Sequence, residues 1–372
     1  MKTHKICKRL LNSVSSLSLK KQRVFVYSTN FDETKLFLDK FNYHYTTFRF
    51  AKCFSLDADF DDLNILSENQ NVDFIYSNLD VKIGKFENKF ISLNNLTKNK
   101  FLGNNQTICF IDTGIFPHID FILPKNRIIK FIDLINNQQT PYDDNGHGTF
   151  VSGVCSGGGI LNKDYSGFAP LSNIIMIKAL NKDGNSDSNR ILDAMQWIYN
   201  NHKKYKIGVV CMSFGADFLN KSDPLSFGAE ALWKCGLIVV AAAGNSGPKS
   251  QTIKSPGNSP KIITVGALDM EHMKIADFSS RGPTPYGHKP DLIAPAVDLI
   301  SCSNSYLPYT TMSGTSVATP IIAGICADLK SKYPNITNES VKRFLIKNCK
   351  KLEGKIDTEG AGYIDFSNLY LD

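Results

Sequence analysis

Three side chains far apart in the chain have the types that nucleophilic catalysis needs: a carboxylate at Asp112 in ICFIDTGI, an imidazole at His147 in NGHGTFVSGV and a hydroxyl at Ser316 in TMSGTSVATP. Serine is a weak nucleophile until a base takes its proton, and the base must be oriented by a third group. Asp112 is expected at the C-terminal end of a buried strand, where a desolvated carboxylate needs a hydrogen-bonded partner. His147 opens an apolar helix between Gly146 and Gly148, which leave the ring approachable. Ser316 stands at a helix N-terminus, where backbone N–H groups and the helix dipole favour the negative charge of a tetrahedral intermediate. Asn245, after Gly244 in VVAAAGNSGP, has an amide that could complete the same oxyanion site. Each of these residues also fits a plainer role alone: a turn aspartate, a structural histidine, a helix cap, a turn asparagine. Their conjunction and order are what specify chemistry.

Such residues must be held by a frame, and the sequence from about residue 100 supplies one. QTICFID, NIIMIKAL, IGVVCMSF, LIVVAAAG and KIITVGAL are short, nearly continuous apolar runs, as expected of parallel strands covered on both faces. Helical stretches alternate with them: one opening at His147, SDSNRILDAMQWIYNNHKK, LSFGAEALWKCG, and one after Ser316. Ile191, Ala194, Met195 and Ile198 share one face of the second of these and are expected in the core. The alternation predicts a doubly wound α/β domain with a mainly parallel sheet, in which ligands gather at the carboxyl ends of the strands. The N-terminal part has a different rhythm. RVFVYS, YHYTTFRFAKCFSLDA and VDFIYSNLDV read as strands and DETKLFLDKF and DFDDLNILSEN as helices, a β-α-β-β-α-β order suited to a small ferredoxin-like α+β module. The polar stretch KIGKFENKF is the candidate linker, which divides the chain into 1–85 and 86–372.

Composition narrows the field. The net charge of +7 comes from lysines and arginines spread along the chain, not clustered with aromatics, so no nucleic-acid partner is expected. No apolar run approaches a membrane span, and the basic N-terminus leads into a broken, Ser- and Asn-rich segment without a small-residue cleavage site. The nine cysteines are scattered through apolar runs and never spaced as C-x-x-C, which suits buried free thiols in a reducing compartment and gives zinc no site. The expected location is therefore cytoplasmic, with non-standard export as the alternative.

With these residues in hand, the chain resembles the subtilisin-type serine proteases (subtilases, peptidase family S8), in particular intracellular bacterial members. The resemblance rests on DTG at Asp112, HGT at His147, GTSVATP at Ser316 and AAGNSG at Asn245, and continues through CMSFG, FSSRGPTPYGHKPDLIAP and GAGYID. It implies a subtilisin-like fold and a serine endopeptidase with Asp112, His147 and Ser316 as triad, and with the Asn245 amide and the Ser316 backbone N–H as oxyanion hole. It further implies that Ser213, Phe214 and Gly215 pair with an extended peptide substrate. Ala241, Ala242 and Ala243 would line one side of the pocket for the residue preceding the cleaved bond (P1), with KSPGNSP at its base. Lys254 stands where many relatives have glycine, and a buried ammonium there would favour acidic or small polar P1 side chains. The N-terminal module is similar in placement to a propeptide, which in such enzymes acts as chaperone and inhibitor in cis with its C-terminal tail in the active-site groove; the alternative is a permanent interaction domain. No cofactor is required. Calcium is possible but not expected at the usual tight site, because SGGGILNKDYSGFAP is short and offers only Asn162 and Asp164 as oxygen ligands. Val317 follows the nucleophile where many relatives have methionine, removing one target for peroxide.

Rival readings have less to stand on. A catalytically silent scaffold would be attractive if a triad residue were replaced, and none is. An α/β-hydrolase needs G-x-S-x-G, a setting no serine here has; a dinucleotide site needs G-x-G-x-x-G, which DTGIFPH does not provide.

Overall fold

Residues 2–7, 10–11, 21–83, 102–218, 223–305, 307–352 and 354–365 are described in this computed structural model. The expected linker lies outside them beyond Ile83.

In the N-terminal part, β1 (Gln22–Tyr27), α1 (Phe31–Lys40), β2 (Tyr45–Phe48), β3 (Cys53–Ala58), α2 (Phe60–Glu68) and β4 (Phe74–Ser77) follow the expected order. The sheet is antiparallel with order β2-β3-β1-β4, the ferredoxin-like arrangement. Two corrections apply. The run from Tyr43 to Ala58 is a hairpin broken by a 3-10 turn at Arg49–Ala51, where Lys52 takes φ +53°. VDFIYSNLDV is likewise two strands: Phe74–Ser77 stays in the module, while β5 (Asp80–Lys82) leaves it and joins a different sheet.

The larger part is built on β6 (Thr107–Asp112), β7 (Ile128–Asp133), β8 (Asn173–Lys178), β10 (Ile207–Met212), β12 (Ile238–Ala242), β13 (Ile263–Asp269) and β14 (Leu292–Pro295). These seven strands are parallel and lie in the order β7-β8-β6-β10-β12-β13-β14. Every residue of β6, β10 and β12 is buried, which is why these runs show no alternation. The strands at Ile128 and Leu292 escaped the sequence reading: Lys130 and Asp133 interrupt the first, and Pro295 closes the second after four residues.

Helices cover both faces. α3 (His147–Ser156) is wholly buried. α4 (Ser188–Tyr205) is capped by the Asp187 side chain and buries the expected Ile191, Ala194, Met195 and Ile198. α5 (Pro224–Lys234), α6 (Thr315–Lys332) and α7 (Asn338–Lys347) complete the set used below. Buried from Thr315 to Leu329, α6 packs across β10, β12, β13 and β14 and against α3. Among the described residues no helix is long and apolar enough to cross a membrane. All nine cysteines are unpaired and seven are buried; burial pushes the Cys109, Cys211 and Cys326 thiols up, so they stay protonated.

Candidate active site

Strand order reverses between β6 and β10, and the sequence-picked residues lie at the carboxyl ends around that point. Asp112 ends β6, fully buried, and its Oδ1 accepts the Thr113 N–H at 2.7 Å and bonds His147 Nδ1 at 2.7 Å. Burial is the largest influence on His147 and pulls its pKa down. The Asp112 charge and hydrogen bond, with Asp143 farther off, outweigh it, so the net shift is upward. His147 Nε2 is buried without a hydrogen-bond partner, leaving it as the nitrogen that can take a proton.

Gly148 does something other than open space around the ring. A Cβ there would stand 2.2 Å from the Gly114 carbonyl oxygen and 3.2 Å from Asp112 Cβ, so glycine lets α3 press against the Asp112 turn. Two residues missed by the sequence reading brace the same junction. Asp143 Oδ1 accepts from Thr113 Oγ1 at 2.9 Å, Asn145 N at 3.1 Å and Gly146 N at 2.9 Å, while Oδ2 accepts from Thr149 N at 2.9 Å and Thr149 Oγ1 at 2.7 Å. One buried carboxylate thus ties the turn after Asp112 to the start of the histidine helix. Lys178 is fully buried opposite Asp112 in β8, and its ammonium donates to the Thr113 and Leu180 carbonyls and to Asp144. A lysine inside the apolar run NIIMIKAL was the available signal.

At α6 the hydroxyls divide their duties. Ser313 pairs with Asp298; Thr315 donates its N–H and its hydroxyl to Asn245 Oδ1, both at 2.9 Å. With Oδ1 so engaged, the Asn245 NH₂ is turned the other way. A Cβ added to Gly314, whose φ is +148°, would lie 3.1 Å from Ser316 Oγ and 3.2 Å from Asn245 Nδ2. Hydroxyl and amide therefore flank one small space that any other residue at 314 would fill. The helix contains Pro320, which has no N–H to offer the Ser316 carbonyl. Ser213 Oγ donates to that carbonyl instead, at 2.9 Å. The Ser213 hydroxyl is thus engaged with the helix, which leaves the backbone of this segment for strand pairing.

A groove of about 290 Å³ adjoins Ser316 and Asn245, with Ser213, Phe214 and Gly215 along it. Strand β5 already lies there, antiparallel between β9 (Asn185–Asp187) and β11 (Gly215–Ala216); Lys82 pairs with Gly215, and the Ile83 N–H reaches the Gly184 carbonyl at 3.1 Å. Of the three alanines only Ala242 lines the groove; Ala241 and Ala243 are buried away from it, as alternation along a strand requires. Lys254 lines it too, but not as a bare buried ammonium: Nζ is paired with Asp217, and the side chain keeps 21% of its exposure.

The glycine-rich loop after α3 is organised by a carboxylate. Asp120 accepts from Gly159 N at 3.0 Å and Ile160 N at 3.1 Å, as well as from the Tyr309 hydroxyl at 3.1 Å. His118, Asp120 and Cys302 come close enough to suggest a metal cluster. However, His118 Nδ1 accepts the Asp120 N–H at 3.1 Å and Nε2 bonds the Pro308 carbonyl at 2.7 Å. Both ring nitrogens are thus engaged, one accepting and one bonded to a carbonyl, so the histidine as placed has no lone pair for a metal. Asn162 is likewise used locally, accepting from Asp164 N.

Comparison with known proteins agrees with this geometry. The family model described as Subtilase family matches residues 103–363. The chain is 40% identical over 337 residues to the serine protease AprX of Bacillus subtilis, covering 82% of this chain and 76% of that protein. It is 31% identical to subtilisin DY of Bacillus licheniformis, over 70% of this chain and 92% of the other. Identity to the thermostable alkaline protease of Halalkalibacterium halodurans is 29%, with 76% and 73% covered.

Proposed function

The chain belongs to the Subtilase family and is a subtilisin-like serine protease, and on that premise we propose that Asp112, His147 and Ser316 form its catalytic triad. The reading is carried by the 2.7 Å bond between Asp112 and His147, which leaves Nε2 as the ring nitrogen without a partner. Ser316 Oγ attacks the scissile carbonyl while Nε2 takes its proton; the Asp112 carboxylate holds the Nδ1–H tautomer and stabilises the imidazolium. The Asn245 amide and the Ser316 N–H bind the oxyanion. Collapse of the intermediate returns the proton to the leaving amine, and water, activated by His147, hydrolyses the acyl-enzyme. No step runs through a metal.

Substrates are proteins and peptides that add an extended strand beside Gly215, where β5 now pairs. We assign the N-terminal module, residues 1–85, as a propeptide-like inhibitor acting in cis, because its last described strand pairs with Gly215 and lines the groove beside Ser316. The unpaired cysteines suit a cytoplasmic setting. A fluorophosphonate probe should label the wild type and leave Ser316→Ala unlabelled, and only the wild type should fragment a denatured protein. A wild-type chain that neither takes the probe nor cuts would overturn the endopeptidase reading in favour of a silent scaffold.

A further inference from the structure

We propose that Asp217 is a specificity-determining residue: a built-in stand-in for a substrate carboxylate on Lys254, displaced when an acidic P1 side chain enters. The proposal rests on the endopeptidase reading above and deepens it.

The argument starts from what holds the two side chains. Ala216 and Ser255 form an antiparallel bridge, each N–H reaching the other's carbonyl at 2.9 Å. That bridge sets the flanking residues Asp217 and Lys254 side by side. The lysine stem is clamped. A Cβ on Gly215 would stand 2.7 Å from Lys254 Cβ, and one on Gly244 would stand 2.4 Å from Lys254 Cγ, so the chain runs in a slot between two glycines. The two glycines hold the stem at Cβ and Cγ, and the rest of the side chain lies beyond them. Asp217 is in the opposite situation, with 82% of its side chain exposed.

The pair also stands between two hollows. Lys254 and Asp217 line the groove that holds Ser316, and the same two residues line a second cavity of about 430 Å³ on the far side, bounded by Thr252 and Pro283. The ion pair is therefore a partition at the end of the substrate groove. Exposed ion pairs contribute little net free energy, so breaking this one costs little. A substrate carboxylate arriving from the Ser316 side meets an ammonium whose stem is already held at Cβ and Cγ. The exchange keeps one carboxylate on the ammonium throughout and releases Asp217 to water. A neutral side chain of the same length offers no such exchange, and discrimination by a charged hydrogen-bonding group is correspondingly large.

The test compares peptides differing only in Glu or Gln at the residue before the cleaved bond. Full-length protein is used, with rates normalised to the fraction labelled by fluorophosphonate. The wild type should favour Glu by about tenfold or more in kcat/KM. Asp217→Asn, which keeps the shape and removes the competing carboxylate, should raise the Glu/Gln ratio further. Lys254→Met should bring it to about one. A wild-type ratio near one, or a ratio unmoved by Lys254→Met, overturns the lysine's role. A ratio unchanged in Asp217→Asn overturns the displacement. All of these ratios are measured on protein that still takes the probe and cuts, so any of them leaves the protease reading standing. Loss of labelling and of all cleavage in the wild type would instead remove that reading and this proposal with it.

Discussion

Pro320 withholds from the Ser316 carbonyl the N–H that a regular helix would give it, and the Ser213 hydroxyl fills the gap. Asp112, His147, Ser316 and Asn245 could be picked from the sequence because few other roles need that set in that order, and the structure bonds the first pair and sets the second pair about Gly314. Their supports could not be: Asp143, Lys178 and Ser213 act through partners 30 to 103 residues away. Two expectations belong to single side chains. Asn245→Ala should lower kcat by about 10²–10³ with little change in KM, since the amide meets charge only in the transition state. Steady-state kinetics on a small peptide ester would show it. His147 must be neutral to act as base, and Asp112 raises its pKa above the ordinary value of 6.5. The acidic limb of kcat/KM should accordingly lie above that value in the wild type. Asp112→Asn removes the raising influence and leaves burial to lower the pKa, so the limb should move to lower pH as kcat falls by about 10⁴. A limb that stays put would show that another group titrates.

Strands and helices with one strong period were readable, and those where two environments meet within a few residues were not. VDFIYSNLDV looks continuous because both halves are apolar, yet Asn78 and Leu79 hand the chain from one sheet to another through bonds to Ser188. The organiser of the loop after α3, Asp120, lies in a different segment and gave no local sign. Removing that carboxylate leaves the buried Gly159 N–H without its acceptor and takes away the partner of the Ile160 N–H and the Tyr309 hydroxyl. Asp120→Ala should therefore destabilise the fold by on the order of 3 kcal/mol. Chemical denaturation with and without a chelator would measure this. A loss that appears only when the chelator is absent would mean that a cation, not hydrogen bonding, organises the loop.

Over the whole molecule, the module and the larger part share an interface of aromatic rings and backbone bonds. Tyr27 meets Phe227 edge-on with centroids 5.1 Å apart, and Phe50 lies 5.6 Å from Tyr199, so the module sits on α4 and α5 while β5 runs on into the groove. The β-α-β-β-α-β order predicted the module's sheet. That Lys82 would lie beside Gly215 was implied only by the resemblance to a propeptide and not by the residues themselves, because strand pairing of this kind is made by backbone atoms that every residue has. If the module is cut by its own protease part, mass spectrometry should find a shortened N-terminus in the wild type and the intact chain in Ser316→Ala. A shortened N-terminus in both would assign the cut to another enzyme.

The seat of β5 between β9 and β11 has a thermodynamic corollary. A segment joined to its own receptor faces an effective concentration of about a millimolar whatever the dilution. Severing the connection turns an intramolecular equilibrium into a bimolecular one. Pairing that was indifferent to how much protein is present then becomes a matter of mass action, loosened by dilution or by destruction of the freed piece.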